Sequence, residues 1–178
     1  MRKLAARVTG VLLFWVVLVG GAETTYQSPE QFVDEAFDGF EPAPEVLWVT
    51  DALRDQAGSV LGHQVPFLRT RYWQDGNRTA WILDEIGKEQ PITVGIVVED
   101  ARIERVRVLV YRESRGGEVR HAYFTRQFKG AALVQDDFAL DRTIDGISGA
   151  TLSSRALTRV SRLALLFHSA VMDSGGGE

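Results

Sequence analysis

The sequence predicts an α+β domain, an antiparallel sheet with helices packed on it, preceded by an export signal. Three observations carry this. Segments with helical periodicity and clear caps lie near both ends of the chain. Between them, residues 68 to 111 alternate apolar and polar. Turn residues divide that alternating region into hairpins. The 178 residues are 45% hydrophobic and 25% charged, ordinary for a domain with a real core. The formal net charge is −4, and without a basic stripe this excludes nucleic acid as the main partner. There is no cysteine, which excludes disulfides and thiolate-held metal or iron–sulfur centres.

Residues 1–22 read as a signal peptide. Arg2, Lys3 and Arg7 precede an apolar run from Val8 to Val19, and Gly20 and Ala22 supply the small residues of a cleavage site after Ala22. The run is shorter than the roughly 20 residues a spanning helix prefers, although an uncleaved anchor in the inner membrane stays open as the alternative. The expected location is therefore periplasmic or otherwise extracytoplasmic. Loss of three basic and no acidic residues would move the net charge from −4 to −7.

Residues 23–64 read as an N-terminal helical region. Ser28-Pro29 marks a helix start, with Ser28 as N-cap and Pro29 in the first helical position, running to about Phe37. Glu41 to Glu45 is a proline-broken connector, and a second helix covers Thr50 to Val60 with Gly62 beyond its end. The main domain spans 65–172. Leu68–Trp73 and Thr79–Leu83 flank the turn Asp75-Gly76-Asn77 and form a first hairpin. Ile92 to Val98 and Ile103 to Tyr111 form a second, with Val106, Val108 and Val110 on a buried face and Arg105 and Arg107 on a wet one. From Leu152, Leu157, Val160, Ala164, Phe167 and Val171 define the stripe of a long amphipathic helix. Residues 173–178, DSGGGE, read as a frayed tail.

Few residues point to chemistry. His63, His121 and His168 show no metal-ligand spacing, and His168 is expected at the surface or at a helix cap. Trp48, Trp73 and Trp81 are expected in the core, as strand tryptophans more often are, rather than stacked on an aromatic ligand. No nucleophile elbow, zincin motif or P-loop occurs. The segment Asp145 to Ser154, DGISGATLSS, stands apart: it runs a glycine-rich loop into the start of the longest helix. Free backbone N–H groups and the helix dipole favour a phosphate there, Gly146 and Gly149 allow close approach, and Ser148 and Thr151 offer hydroxyls. A capping serine or threonine followed by a helix would read the same way, and spacing alone does not choose between the two.

The residues Asp145-Gly146-Ile147-Ser148-Gly149-Ala150-Thr151 match every fixed position of D-x-x-[ST]-G-A-T. This resembles the flavinylation motif of the FMN-binding domain family, which includes domains of ion-pumping quinone and ferredoxin reductase complexes. The resemblance implies that FMN is joined through its phosphate to the Thr151 hydroxyl by a magnesium-dependent flavin transferase outside the cytoplasm. Upstream, Glu113-Ser114-Arg115-Gly116-Gly117, then Phe124 and Gln127-Phe128-Lys129-Gly130, is similar to the family's flavin-contacting segment, E-T-P-G-L-G, an aromatic and Q-F-x-G-K. Here Ser-Arg replaces Thr-Pro, and Phe124 stands where tryptophan is usual. The resemblance implies flavin contacts from Glu113, Ser114, Arg115, Gly116, Gly117 and Gln127.

The function implied is an exported flavoprotein that relays electrons between a donor and a membrane or periplasmic acceptor, a partner protein or a quinone. No general base, nucleophile or metal set of its own is legible. Two other readings remain: an extracytoplasmic flavin reductase acting directly on a quinone or small organic acceptor, and a non-redox flavin-binding or regulatory module.

Overall fold

The computed structural model describes residues 23–134 and 136–175. The expected signal peptide, 1–22, and the end of the expected tail, 176–178, lie outside the described residues. In chain order the elements are β1 (Thr24–Thr25), α1 (Pro29–Ala36), β2 (Glu45–Trp48), α2 (Asp51–Leu61), β3 (Arg69–Asp75), β4 (Arg78–Ile86), β5 (Pro91–Glu99) and β6 (Arg102–Tyr111). A short helix α3 (Ala122–Thr125), flanked by 3-10 turns, leads to β7 (Leu133–Val134), β8 (Ala139–Leu140) and the long helix α4 (Thr151–Gly175). The main sheet is antiparallel, in the order β1-β6-β5-β4-β3-β2, and β7 and β8 form a small separate pair.

Local chemistry sets the helix ends. The Ser28 hydroxyl accepts from the Gln31 N–H at 3.2 Å, and the Gln31 side chain accepts from the Ser28 N–H at 3.1 Å, a complete capping box. The Thr50 hydroxyl accepts from the Leu53 N–H at 3.3 Å, and Gly62 closes α2 in the left-handed conformation. Such caps contribute about 1 kcal/mol each. The alternating strands bury one side chain in two: Tyr72, Trp81, Leu83, Val94, Ile96, Val106 and Val108 face α2 and α4 across the larger core. All five stripe residues of α4, Leu157, Val160, Ala164, Phe167 and Val171, are buried there.

The opposite face is drier than expected. Phe32, Val33, Ala36 and Phe37, in and just after α1, pack on Ala80, Val97, Leu109 and Val110 in a second, smaller core. Gly95 makes room, since a Cβ there would lie 2.7 Å from the Phe32 ring. Val110 is thus on the face opposite to the one expected, because a register shift between Thr93 and Val94 leaves Leu109 as an extra residue in β6. Residues 23–64 are not only helical: they also supply both edge strands, β1 and β2. The helix expected to end near Met172 continues to Gly175.

His168 corrects a further expectation. It is 2% exposed rather than at the surface, with its Nδ1 2.8 Å from the Thr79 hydroxyl, which also accepts from the Trp81 indole N–H at 2.8 Å. Its Nε2 accepts from the Ala101 N–H at 3.3 Å, so Nδ1 carries the proton and donates to Thr79. Burial pushes the imidazole pKa down. Among the tryptophans Trp81 is core, Trp73 is half-buried, and Trp48 is 62% exposed, on the edge strand.

Candidate functional site

At one end of the sheet, the β4–β5 turn, the segment after β6 and the first turn of α4 enclose a cavity of about 480 Å³. That is within the usual range for a small-molecule site, roughly 300–1,000 Å³. Its lining includes Lys88, Glu89, Glu113, Ser114, Arg115, Gly149, Ala150 and Thr151. Two stretches that the sequence singled out more than thirty residues apart therefore meet in space.

Three hydroxyls open α4, and they are not equivalent. Ser154 Oγ accepts from the Ile147 N–H at 3.2 Å, and Ser153 Oγ bonds the Tyr111 hydroxyl at 2.9 Å; both serines are buried. Thr151 is exposed on the cavity wall, and among the described residues its hydroxyl has no hydrogen-bond partner. The first α4 backbone N–H used within the protein is that of Ser154, which donates to Ala150 at 2.9 Å. Among the described residues the N–H groups of Thr151, Leu152 and Ser153 therefore have no partner, at the positive end of a 25-residue helix. The capping alternative loses its support: the cap-like contact comes from Ser154, inside the helix, and neither Ser148 nor Thr151 makes one among the described residues.

The loop leading to Thr151 is pinned from behind. Gln127 donates from Nε2 to the Asp145 carbonyl at 3.2 Å and accepts from the Asp145 N–H at 2.9 Å. Its side chain is thereby committed to the loop, and Gln127 is not among the residues that line the cavity. Asp145, Gly146, Ile147 and Ser148 form the approach, with Ile147 packed against the core, and Gly149 turns the chain at φ +85°.

Glu113 is likewise held. One carboxylate oxygen accepts from the N–H groups of Lys88, Glu89 and Gln90 at 2.5, 2.6 and 3.0 Å. Partial burial disfavours the charge, but the three backbone donors outweigh it and hold the carboxyl below its ordinary value. Glu113 thus fixes the β4–β5 turn that forms the cavity's other wall. Behind it, the Tyr111 hydroxyl donates to the Arg115 carbonyl at 2.5 Å, so the Tyr111–Ser153 bond takes its proton from serine. Burial raises the Tyr111 pKa. Gly116, at φ +87°, sits where a Cβ would lie 2.9 Å from both Ser153 Oγ and the Tyr111 hydroxyl, so the 113–117 segment can lie this close to α4 only with glycine there. Gly117 packs against the Tyr111 ring behind the cavity.

Lys88, Glu89, Tyr111, Leu152 and Ser153 were not singled out in the sequence. Their signal was positional only: the first two follow a strand whose end had no visible partner, and Leu152 and Ser153 follow Thr151. Arg115 and Lys88 add two cations to the wall, the latter paired with Glu89 of the same wall at 3.0 Å.

The donor set suits a phosphorylated ligand: helix N–H groups and a hydroxyl that are unpartnered among the described residues, the cations of Lys88 and Arg115, and a backbone brought close by Gly116 and Gly149. A comparison with curated proteins returned no match. Residues 87–165, which include the β4–β5 turn, the 113–117 segment and Thr151, match the model of the FMN-binding domain. That match supports an FMN-binding domain over these residues and, with it, a flavin-binding protein.

Proposed function

We propose that this chain is an extracytoplasmic electron-transfer flavoprotein that carries FMN covalently, through a phosphoester on Thr151. The observation that carries the reading is the state of the Thr151 hydroxyl: exposed, without a partner among the described residues, and placed on the cavity wall at the open end of α4. In the transfer the Thr151 oxygen would bond the phosphorus of an activated flavin phosphate, the bond from that phosphorus to the donor's leaving group would break, and the hydroxyl proton would depart with the leaving group, so the chain's net gain is one FMN less one water. The free N–H groups of Leu152 and Ser153 and the helix dipole hold the phosphate's remaining charge. Lys88 and Arg115 supply further positive charge at the cavity wall. Glu113 acts by position, keeping the β4–β5 turn closed against the 113–117 segment.

Bound FMN supplies two-electron uptake with one-electron release, the chemistry of a relay. The protein's part is to retain the cofactor in a compartment where a dissociable one would be diluted away, and to leave the cavity mouth open to a partner. A magnesium-dependent flavin transferase would perform the attachment, and a redox protein or a quinone would exchange the electrons.

The test is in-gel flavin fluorescence after denaturation, on chain exported from a host that has such a transferase. Wild type should give a fluorescent band and Thr151→Ala, folded to the same extent, should give none. A band of equal brightness from Thr151→Ala would overturn the assignment of Thr151.

A further inference from the structure

The sheet face that carries α1 is covered only at its centre. Among the described residues it is bare over β2, β3 and the end of β4. Val46 and Trp48 of β2 and Ile86 at the end of β4 are exposed at 47, 62 and 48%, and Trp73 and Ile82 beside them are only partly buried. Register puts two arginines among them: Arg71 pairs with Val46 and Arg69 with Trp48, whose ring lies 5.5 Å from the Arg69 guanidinium. A groove of about 530 Å³ lined by Arg69, Arg71, Trp73 and Ile82 runs through the patch. Neither arginine has an acidic partner among the described residues. Asp84, the acid on the groove wall, is engaged by the Thr93 hydroxyl at 2.5 Å.

We infer that this face rests on the surface of an anionic lipid bilayer. Exposed indole, branched aliphatic side chains and arginine side by side suit the headgroup boundary, where the rings sit among acyl carbonyls and guanidinium meets phosphate. Charge selects the occupant. The chain is net negative, so two unpaired cations on one apolar face run against its overall sign. A second copy seated by two-fold symmetry would bring these arginines against each other.

Chain direction agrees. Residues before Glu23 include the apolar run Val8 to Val19, and the chain joins the sheet at Thr24, opposite Tyr111 at the end of β6. Ile86, opposite Pro91 at the start of β5, and Trp48, at the end of β2, lie at that same end of the sheet. Retained as the uncleaved anchor, the alternative to cleavage after Ala22, the segment would tether the end that carries the patch. Lys88 of the cavity wall follows Ile86 by two residues, so docking would set the cavity mouth beside the lipid surface. The inference rests on the extracytoplasmic, membrane-facing part of the reading above and not on the flavin.

The absence of cysteine allows a single reporter. The full chain with Val46→Cys, labelled with an environment-sensitive fluorophore, would be reconstituted without flavin into vesicles of phosphatidylcholine with or without phosphatidylglycerol. With the anionic lipid the emission should shift to the blue, and nitroxide-bearing lipid should quench at least half of it. A label at the exposed Tyr123 (Tyr123→Cys), on α3, should be unaffected. Adding Arg69→Glu and Arg71→Glu should weaken docking about a hundredfold and return the Val46 label to a water-like spectrum. Equal spectra at positions 46 and 123, equal behaviour with neutral lipid, or no effect of the double reversal would each overturn the inference. Protection that grows with protein concentration in detergent without lipid would instead assign the face to a second copy. Since no flavin is used, none of these outcomes bears on Thr151.

Discussion

Replacing Gly116 with alanine should destabilise the domain well beyond what the same change does at Gly149, and the two together isolate one contact. Both glycines have nearly the same backbone conformation, φ +87° and +85°. A left-handed conformation costs an L-residue about 1 kcal/mol, so each variant carries that much strain. At Gly149 nothing lies within 4 Å of the added Cβ, and the strain is the whole effect. At Gly116 the Cβ would lie 2.9 Å from both Ser153 Oγ and the Tyr111 hydroxyl, two groups that bond each other at 2.9 Å. Parting them breaks a buried hydrogen bond, about 1–2 kcal/mol more. Gly116→Ala should therefore lose about 2–3 kcal/mol and Gly149→Ala about 1, read by urea unfolding of the apo protein. In thermal melts the shifts should be about 4–12 °C and about 2–4 °C for a domain of this size. Equal losses at the two positions would refute the claim that Gly116 is held against the first turn of α4.

Two further outcomes concern charge. Glu113→Gln keeps the size of the side chain but removes the charge from an oxygen that takes three backbone donors. Discounted for solvent access it should cost about 1–2 kcal/mol near neutral pH. Because the folded-state pKa lies below the ordinary value, this stabilisation is present above that value and fades as pH falls through the folded one. The difference between wild type and Glu113→Gln should thus shrink in acid, and a difference constant from pH 7 to pH 3 would contradict it. For His168 the depressed pKa means that the unfolded chain takes up a proton the folded one refuses. Stability should fall as pH drops below about 6.5, and His168→Gln should flatten that part of the profile; an unchanged slope would show that the buried imidazole is not its source.

The sequence declared what short-range chemistry fixes. Ser28-Pro29, Thr50 and Gly62 marked helix ends because a cap needs only the next three or four residues, and Asp75-Gly76-Asn77 marked a hairpin for the same reason. What escaped depends on distant partners. Val110 faces the other way because of a bulge set by pairing with β5, and a period-two pattern does not contain it. His168 is buried through Thr79, 89 residues away. β1 and β2, two and four residues long, are too short to show a period and exist by pairing with β6 and β3.

The site divides in the same way. Thr151 and its loop were legible because a glycine-rich run into a helix start is a local pattern. Glu113 lines the cavity, but its bonds to the β4–β5 turn were not legible, since a carboxylate's partners there have no trace in its own neighbourhood. Gln127 was close in sequence to the expected segment but faces Asp145.

Peptide-resolved mass spectrometry of the exported chain, from a host with a flavin transferase, tests the central claim most directly. The peptide that contains Thr151 should gain the mass of one FMN less one water, with fragment ions locating the gain at that residue. An unmodified Thr151 peptide from a yellow protein would leave the cavity as a dissociable flavin site and contradict the covalent attachment.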